Sequence, residues 1–251
     1  MAIQHETALI VGASGGIGRA VAVALAEVGV RVALVGRDRA KLEATRAALP
    51  ASAAERAPLV FTCDTTHRAE VAAVVESALA GLGSIDILVC ASGLNIRQRG
   101  LRSIDPADWD RVIDANLTSA FNLIHHVVPS MRTRGNGLVI QLSSLAGMRP
   151  STVAGAAYSA SKFGQAALGV VLAREERGRG IRSTVIYPGE VDTPFLDVRA
   201  ARPGGAEGSA PRREGILQPA DVAQAVLFLA ELPARAHVPE LVIKPTIDDF
   251  S

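Results

Sequence analysis

A short apolar segment, 7–11, leads directly into Gly12-Ala13-Ser14-Gly15-Gly16-Ile17-Gly18 and then into a helical pattern. This junction limits the fold more than any other feature of the chain. Glycines allow a tight turn and a close backbone approach, and the helix behind them offers unpaired N–H groups to an anion. The spacing is Gly-x3-Gly-x-Gly. A strand, such a turn and a helix in that order point to a dinucleotide pyrophosphate, which Gly12, Ser14, Gly15, Gly16, Ile17 and Gly18 would cradle.

The same alternation runs down the chain. Apolar runs at 7–11, 30–35, 59–63, 85–90, 138–142, 182–187 and 240–243 predict strands. Helical patterns at 17–28, 38–49, 68–82, 109–116, 119–132, 157–177 and 222–231 fall between them. Such alternation implies an α/β fold, a parallel sheet with helices on both faces. Strands buried on both faces read as unbroken apolar runs, as these do. No linker divides the chain, so one domain over 1–251 is expected. Residues 194–215 follow the sixth strand, are rich in Pro and Gly from 200 onward, and predict a lid over a substrate.

Composition removes several classes of function. The net charge is +1 and the arginines are scattered among acids, so neither nucleic acid nor an anionic membrane is an expected partner. No apolar run approaches the 18 or so residues of a membrane span. Residues 1–7 hold no basic leader pattern, so the expected location is cytoplasmic. Cys63 and Cys90 each end a predicted strand, with two strands between them. That separation, about 14 Å, is too far for a disulfide. His125 and His126 point to different faces of a helix, and no spacing suggests a metal. The segments around 121–131 and 163–172 are apolar on more than one helix face, which fits inner core or, preferred here, packing against another subunit in a homodimer or homotetramer.

Two local patterns carry chemistry. Tyr158 and Lys162 stand four residues apart on a predicted helix and so share a face. The chain has only two tyrosines and three lysines. A cation favours phenolate and lowers the pKa of a phenol, which makes the pair a general acid/base for a carbonyl or an alcohol. The second strand ends at Gly36, followed by Arg37 and Asp38. A carboxylate at that strand end would select NAD, and a basic group would meet the 2′-phosphate of NADP. Gly36 and Arg37 therefore favour NADP(H), with NAD(H) left possible, and Asp38 is expected as a helix N-cap.

The whole chain resembles the short-chain dehydrogenase/reductase family, and 3-oxoacyl-[acyl-carrier-protein] reductases among its members. The resemblance rests on the Gly12–Gly18 loop, Asp64 after the third strand, Asn116, Ser144, Tyr158-x3-Lys162 and Pro188-Gly189-x3-Thr193, in that order. It implies a Rossmann-type doubly wound sheet of seven parallel strands. It implies a catalytic set of Asn116, Ser144, Tyr158 and Lys162. Tyr158 would move the proton, Ser144 would hold the substrate oxygen, and Asn116 would position a water in a relay to Lys162. Lys162 would also bind the nicotinamide ribose, Asp64 the adenine and Thr193 the carboxamide. Gly93, Pro188, Gly189 and Val191 complete the implied cofactor contacts. Ser144 is chosen over Ser143 because Gly147 follows it by three.

The chain departs from the family pattern in three places, one being an interval from Ser144 to Tyr158 that is one residue longer than in many members. Cys90-Ala91-Ser92-Gly93 stands where Asn-Asn-Ala-Gly is usual, and the last strand leads to Lys244-Pro245-Thr246 rather than a Gly-rich turn. Met148 and Phe195 are expected substrate contacts beside Ser144 and Tyr158, with Leu94, Arg149, Val153 and Tyr187 nearby. Arg97, Arg99 and Arg102, on the loop after Gly93, are expected as a solvated loop, with recognition of an anionic or carrier-bound substrate such as a 3-oxoacyl thioester as the alternative. The function implied is NADP(H)-dependent reduction of a ketone or 3-oxoacyl compound to an alcohol. The alternatives are an NAD-dependent alcohol dehydrogenase and a nucleotide sensor without chemistry; a sensor would have no need of the complete Tyr/Lys/Ser/Asn set.

Overall fold

The computed structural model describes residues 5–54, 56–196 and 214–247. The strands are β1 (Thr7–Val11), β2 (Arg31–Gly36), β3 (Leu59–Thr62), β4 (Ile87–Cys90), β5 (Gly137–Leu142), β6 (Ile181–Pro188) and β7 (Glu240–Ile243). All pair in parallel, in the order β3-β2-β1-β4-β5-β6-β7. The expected parallel sheet of seven strands is thus present among the described residues. The order reverses between β1 and β4, which opens a crevice at the carboxyl ends of these strands, where ligands bind in open α/β sheets.

The central strands explain their own position. Every residue of β1, β4 and β5 is buried. Alternate side chains feed two separate cores. Ala8, Ile10, Leu34, Ile87 and Ile140 pack toward helices α1 (Gly16–Glu27) and α8 (Pro219–Glu231). Leu9, Val11, Leu88 and Val139 pack toward α4 (Arg68–Leu82), α6 (Ser119–Arg134) and α7 (Ala156–Glu175). Burying each large aliphatic side chain contributes roughly 1.5–3 kcal/mol, which holds the register of the sheet. The remaining helices are α2 (Arg39–Ala47), the short α3 (Ala51–Ala54) and α5 (Pro106–Ile113).

Caps set the helix ends. Asp38 accepts from Lys41 N and is the N-cap of α2, as expected. Gln218 and Asp221 form a reciprocal capping box at α8, whose Pro219 stands in the first turn. This moves the start of α8 three residues ahead of the expected 222.

One element differs in kind. The sequence pattern predicts two helices, 109–116 and 119–132. The structure joins α5 to α6 through a π-helical turn, Asp114–Thr118. The π turn widens the helix by one residue and turns Asn116 inward, where it is buried.

The span expected as a lid, 194–215, is described only at 194–196 and 214–215. Its middle, 197–213, lies outside the described residues.

Candidate active site

A cleft of about 1090 Å³ opens at the reversal of strand order. It lies at the upper end of the range for ligand pockets, roughly 300–1,000 Å³. Its floor is the glycine loop, and its walls come from the ends of β2, β4, β5 and β6.

The loop is shaped for a close backbone approach. Gly12 has φ of 88°, and a Cβ there would lie 2.7 Å from the carbonyl carbon of Ala91. A Cβ on Gly18 would lie 2.2 Å from Gly12 O. At Gly15, by contrast, a Cβ meets nothing within 4 Å. Gly15 is the N-cap of α1 and makes no side-chain cap bond. The N-terminus of α1 therefore faces open space with donors to spare, the arrangement that receives a phosphate. The described residues fit a dinucleotide.

At the carboxyl end of β2, Gly36 and Arg37 line the cleft. A Cβ on Gly36 would lie 2.3 Å from Ser14 Oγ, so the strand end is kept bare. Arg37 is exposed and lines the cleft. The Asp38 carboxylate is engaged by Lys41, through the backbone bond and an ion pair at 3.4 Å. Arg19 and Lys41 also line the cleft, and neither was singled out from the sequence. Asp64 accepts from the backbone and hydroxyl of Thr66. Burial opposes its ionisation, but those bonds, with His67 and Arg37 nearby, hold its carboxyl below the usual range.

The catalytic candidates converge at the ends of β5 and α7. Ser144, Tyr158 and Lys162 all line the cleft, as do Gly93, Pro188, Gly189, Val191 and Thr193. Ser144 caps a short 3₁₀ turn, Leu145–Gly147, and accepts from Ala146 N. Ser143 is buried and donates to Lys162 O, so Ser144 is the more accessible hydroxyl. Gly16 leaves room for Thr193, whose Cγ2 would lie 3.2 Å from a Cβ there. Phe195 packs on Tyr158 with ring centroids 5.6 Å apart, and Met148 is 40% exposed at the mouth.

Lys162 Nζ lies 5.8 Å from the Tyr158 ring centroid. It donates to Leu142 O and to Gln165 Oε1, each at 2.7 Å. Burial pushes the Lys162 amine down to about 7, while the nearby Cys90 acts the other way.

Asn116, implied as the holder of a water in a relay to Lys162, makes its direct hydrogen bonds to Leu94 and Ser161. Its Oδ1 accepts from Leu94 N, and its Nδ2 donates to Leu94 O and to Ser161 Oγ. Ser161 Oγ in turn donates to Tyr158 O, so Asn116 braces the turn of α7 that carries Tyr158. Tyr187, expected in the substrate pocket, is buried and donates to Glu240 on β7. Val153 does not line the cleft either. Arg99, expected on a solvated loop, is buried and donates to Ile96 O. The Gly155 backbone, with φ of 84°, lies against the stem of Arg99, which explains the burial. Gln165 was missed altogether. Its signal was its place three residues after Lys162, on the same helix face.

Cys63 and Cys90 are unbridged and buried. No group of metal-ligating side chains occurs among the described residues. No described helix is long and apolar enough to cross a membrane.

Residues 6–203 match the short chain dehydrogenase family. A glycine betaine reductase of Emericella nidulans is 35% identical over 246 residues, 97% of this chain but 19% of that protein. The chain thus spans about a fifth of that relative's length. An uncharacterized oxidoreductase of Staphylococcus saprophyticus is 33% identical over 97% of this chain and 98% of its own. Among solved structures, a serine dehydrogenase in its closed form with NADP+ superposes with a TM-score of 0.86. It is 27% identical, and the match covers 98% of this chain and 97% of that one. With the sheet order, the glycine loop and the Tyr158/Lys162 pair, these likenesses make the chain a member of the short-chain dehydrogenase family, an oxidoreductase of the nicotinamide-dinucleotide class.

Proposed function

We propose that this enzyme reduces a medium-sized carbonyl compound, a ketone or 3-oxoacyl type, to an alcohol with NADP(H), using Tyr158 as general acid. The observation that carries the reading is the convergence of Ser144, Tyr158 and Lys162 on one cleft with an uncapped, glycine-lined helix N-terminus.

The residues divide the work as follows. The Ser144 hydroxyl donates to the substrate oxygen and holds it beside the phenol. Tyr158 gives its proton to that oxygen as charge develops there, and takes it back in the reverse direction. Lys162, when charged, favours the phenolate that remains. Asn116 keeps the Tyr158 turn of α7 in place through Ser161. Phe195, Leu94 and Met148 shield the site from water. A nicotinamide held in the cleft would supply or accept the hydride at the substrate carbon.

Gly15, Gly16, Ile17 and Gly18 would hold the pyrophosphate, and Ser14 and Gly12 its approach. Asp64 would meet the adenine, and Gly93, Pro188, Gly189, Val191 and Thr193 the nicotinamide half. Arg37 would clamp a 2′-phosphate. The engagement of Asp38 as a cap supports this, because a free carboxylate beside that phosphate would repel it. The NADP+ complex of the serine dehydrogenase agrees with the choice. Arg99 is spent inside the fold, which weakens a carrier-bound substrate held by that loop and favours a free small molecule.

We further propose a cytoplasmic enzyme that assembles as a homodimer or homotetramer. Phe121 on α6, and Phe163 and Val171 on α7, are 40–50% exposed, a large apolar content for free surface.

A paired fluorescence titration with NADPH and NADH tests the cofactor assignment. Tighter NADPH supports it and directs a screen of ketones and 3-oxoacyl thioesters for reduction. Tighter NADH overturns it and makes Asp38 the selector. Binding of neither would overturn the enzymatic reading.

A further inference from the structure

The ammonium of Lys162 stands at one end of a buried chain of side chains. Lys162 Nζ donates to Gln165 Oε1 at 2.7 Å, and Gln165 Nε2 donates to Gln141 Oε1 at 3.0 Å. Gln141 Nε2 donates to Cys90 Sγ at 3.4 Å. All four residues are at most 3% exposed. The chain crosses from α7 to β5 and then to β4.

Its direction is dictated by its first member. An ammonium is a donor only. Gln165 must therefore present its oxygen to Lys162 and its amide N–H to the next residue. Gln141 must then present its oxygen to Gln165 and its own N–H onward, and the sulfur of Cys90 takes it. Reversing either amide would leave a buried donor facing a donor, which is costly. Cys90 is fit for the last place because burial pushes its thiol up to about 12, so it is an uncharged acceptor.

The surroundings leave Gln165 as the side chain that meets the charge. The titratable groups facing Lys162 are Tyr158 on its own helix and Cys90 on β4. From β5 come Gln141, Ser143 and the Leu142 carbonyl, and from β6 Ser183 and Val185 lie beside α7; none of these is charged. The π turn sends Asn116 to Ser161 instead.

We propose that Gln165 is a positioning residue that favours the charged form of Lys162 in its dry site, with Gln141 and Cys90 fixing the orientation of its amide. The inference rests on the reading of Lys162 as the cation that serves Tyr158. An amide oxygen on the ammonium favours the charged form, against the burial that disfavours it. Removing that oxygen lowers the Lys162 pKa, and replacing it with a carboxylate raises it.

The readout for Gln165 needs neither substrate nor turnover. The chain has three lysines, Lys41, Lys162 and Lys244, so ¹³Cε-lysine labelling of the full-length protein gives three NMR signals. Lys162→Met identifies the signal of interest. Gln165→Met should lower its titration midpoint by about one pH unit or more. Gln165→Glu should raise it above wild type. Gln141→Met should lower it by a smaller amount. An unmoved midpoint in Gln165→Met overturns the proposal. Where that variant fails to fold, Gln165→Glu decides: a raised midpoint supports the proposal and an unmoved one overturns it. Should the midpoints move as expected while Tyr158→Phe retains full turnover, the catalytic reading fails and the positioning role of Gln165 stands.

Discussion

Lys162 Nζ lies 5.8 Å from the centre of the Tyr158 ring, and it donates hydrogen bonds to Leu142 O and Gln165 Oε1. The amine is buried, and burial brings its pKa from 10.5 to about 7. Separate side chains thus brace the two residues: Ser161 donates to the Tyr158 backbone carbonyl, and Gln165 accepts from the Lys162 amine.

That burial has a consequence for stability. The folded pKa of Lys162 lies below its unfolded value, so between about 7 and 10.5 the unfolded chain binds a proton that the folded chain does not. Its contribution is complete above the unfolded pKa and is lost as pH falls toward 7. In cofactor-free protein, the stability of wild type relative to Lys162→Met should therefore rise from pH 7 to pH 9. Urea unfolding at the two values measures it, and parallel behaviour of the two proteins would refute the assignment.

The proposed preference for NADP(H) rests on Arg37. Arg37→Ala should weaken NADPH by roughly tenfold to a hundredfold, the range for a lost charge-assisted contact, and leave NADH nearly unchanged. Fluorescence titration of both cofactors distinguishes the outcomes. Equal losses would mean that Arg37 does not meet the 2′-phosphate.

The glycine loop tolerates no side chain at 18. A Cβ there would lie 2.2 Å from Gly12 O and 2.7 Å from Gly12 C, both backbone atoms. Gly18→Ala should force the loop open, cost about 1–3 kcal/mol of stability, and weaken both cofactors together. Thermal melting and the same titration check this. Wild-type melting with wild-type affinity would contradict the close contact.

Both thiols should be inert in the native state. Burial, with Glu70 and Asp64 beside it, pushes Cys63 up to about 11, and burial pushes Cys90 up to about 12. The thiolate is the nucleophile, and little of it exists near pH 8. An aromatic disulfide reagent should label neither cysteine at pH 8 until denaturant is added. Fast labelling of one thiol in native protein would place that residue elsewhere.

The strands were legible because a sheet covered on both faces writes itself as short apolar runs, and the glycine loop because only glycine fits between Gly12 O and α1. The Tyr158/Lys162 pair was legible because helical spacing fixes which residues share a face. The π turn was not. It depends on the hold of Asn116 on Leu94, 22 residues away, and on Ser161, 45 residues away. Polarity misled at Arg99 and Tyr187, whose partners, the Ile96 carbonyl and Glu240, appear only once the chain has folded. Gln165 looked like one polar residue on an apolar helix, and its role emerges only when Gln141 is found opposite.

The most direct test of the account is NADPH consumption with a panel of ketones and 3-oxoacyl thioesters, comparing wild type with Tyr158→Phe. The account predicts turnover by wild type with at least one class. It predicts a loss of about 10²–10⁴-fold in the variant, the usual worth of a general acid, with NADPH affinity retained. Turnover by Tyr158→Phe close to wild type, with the same substrate, would contradict it.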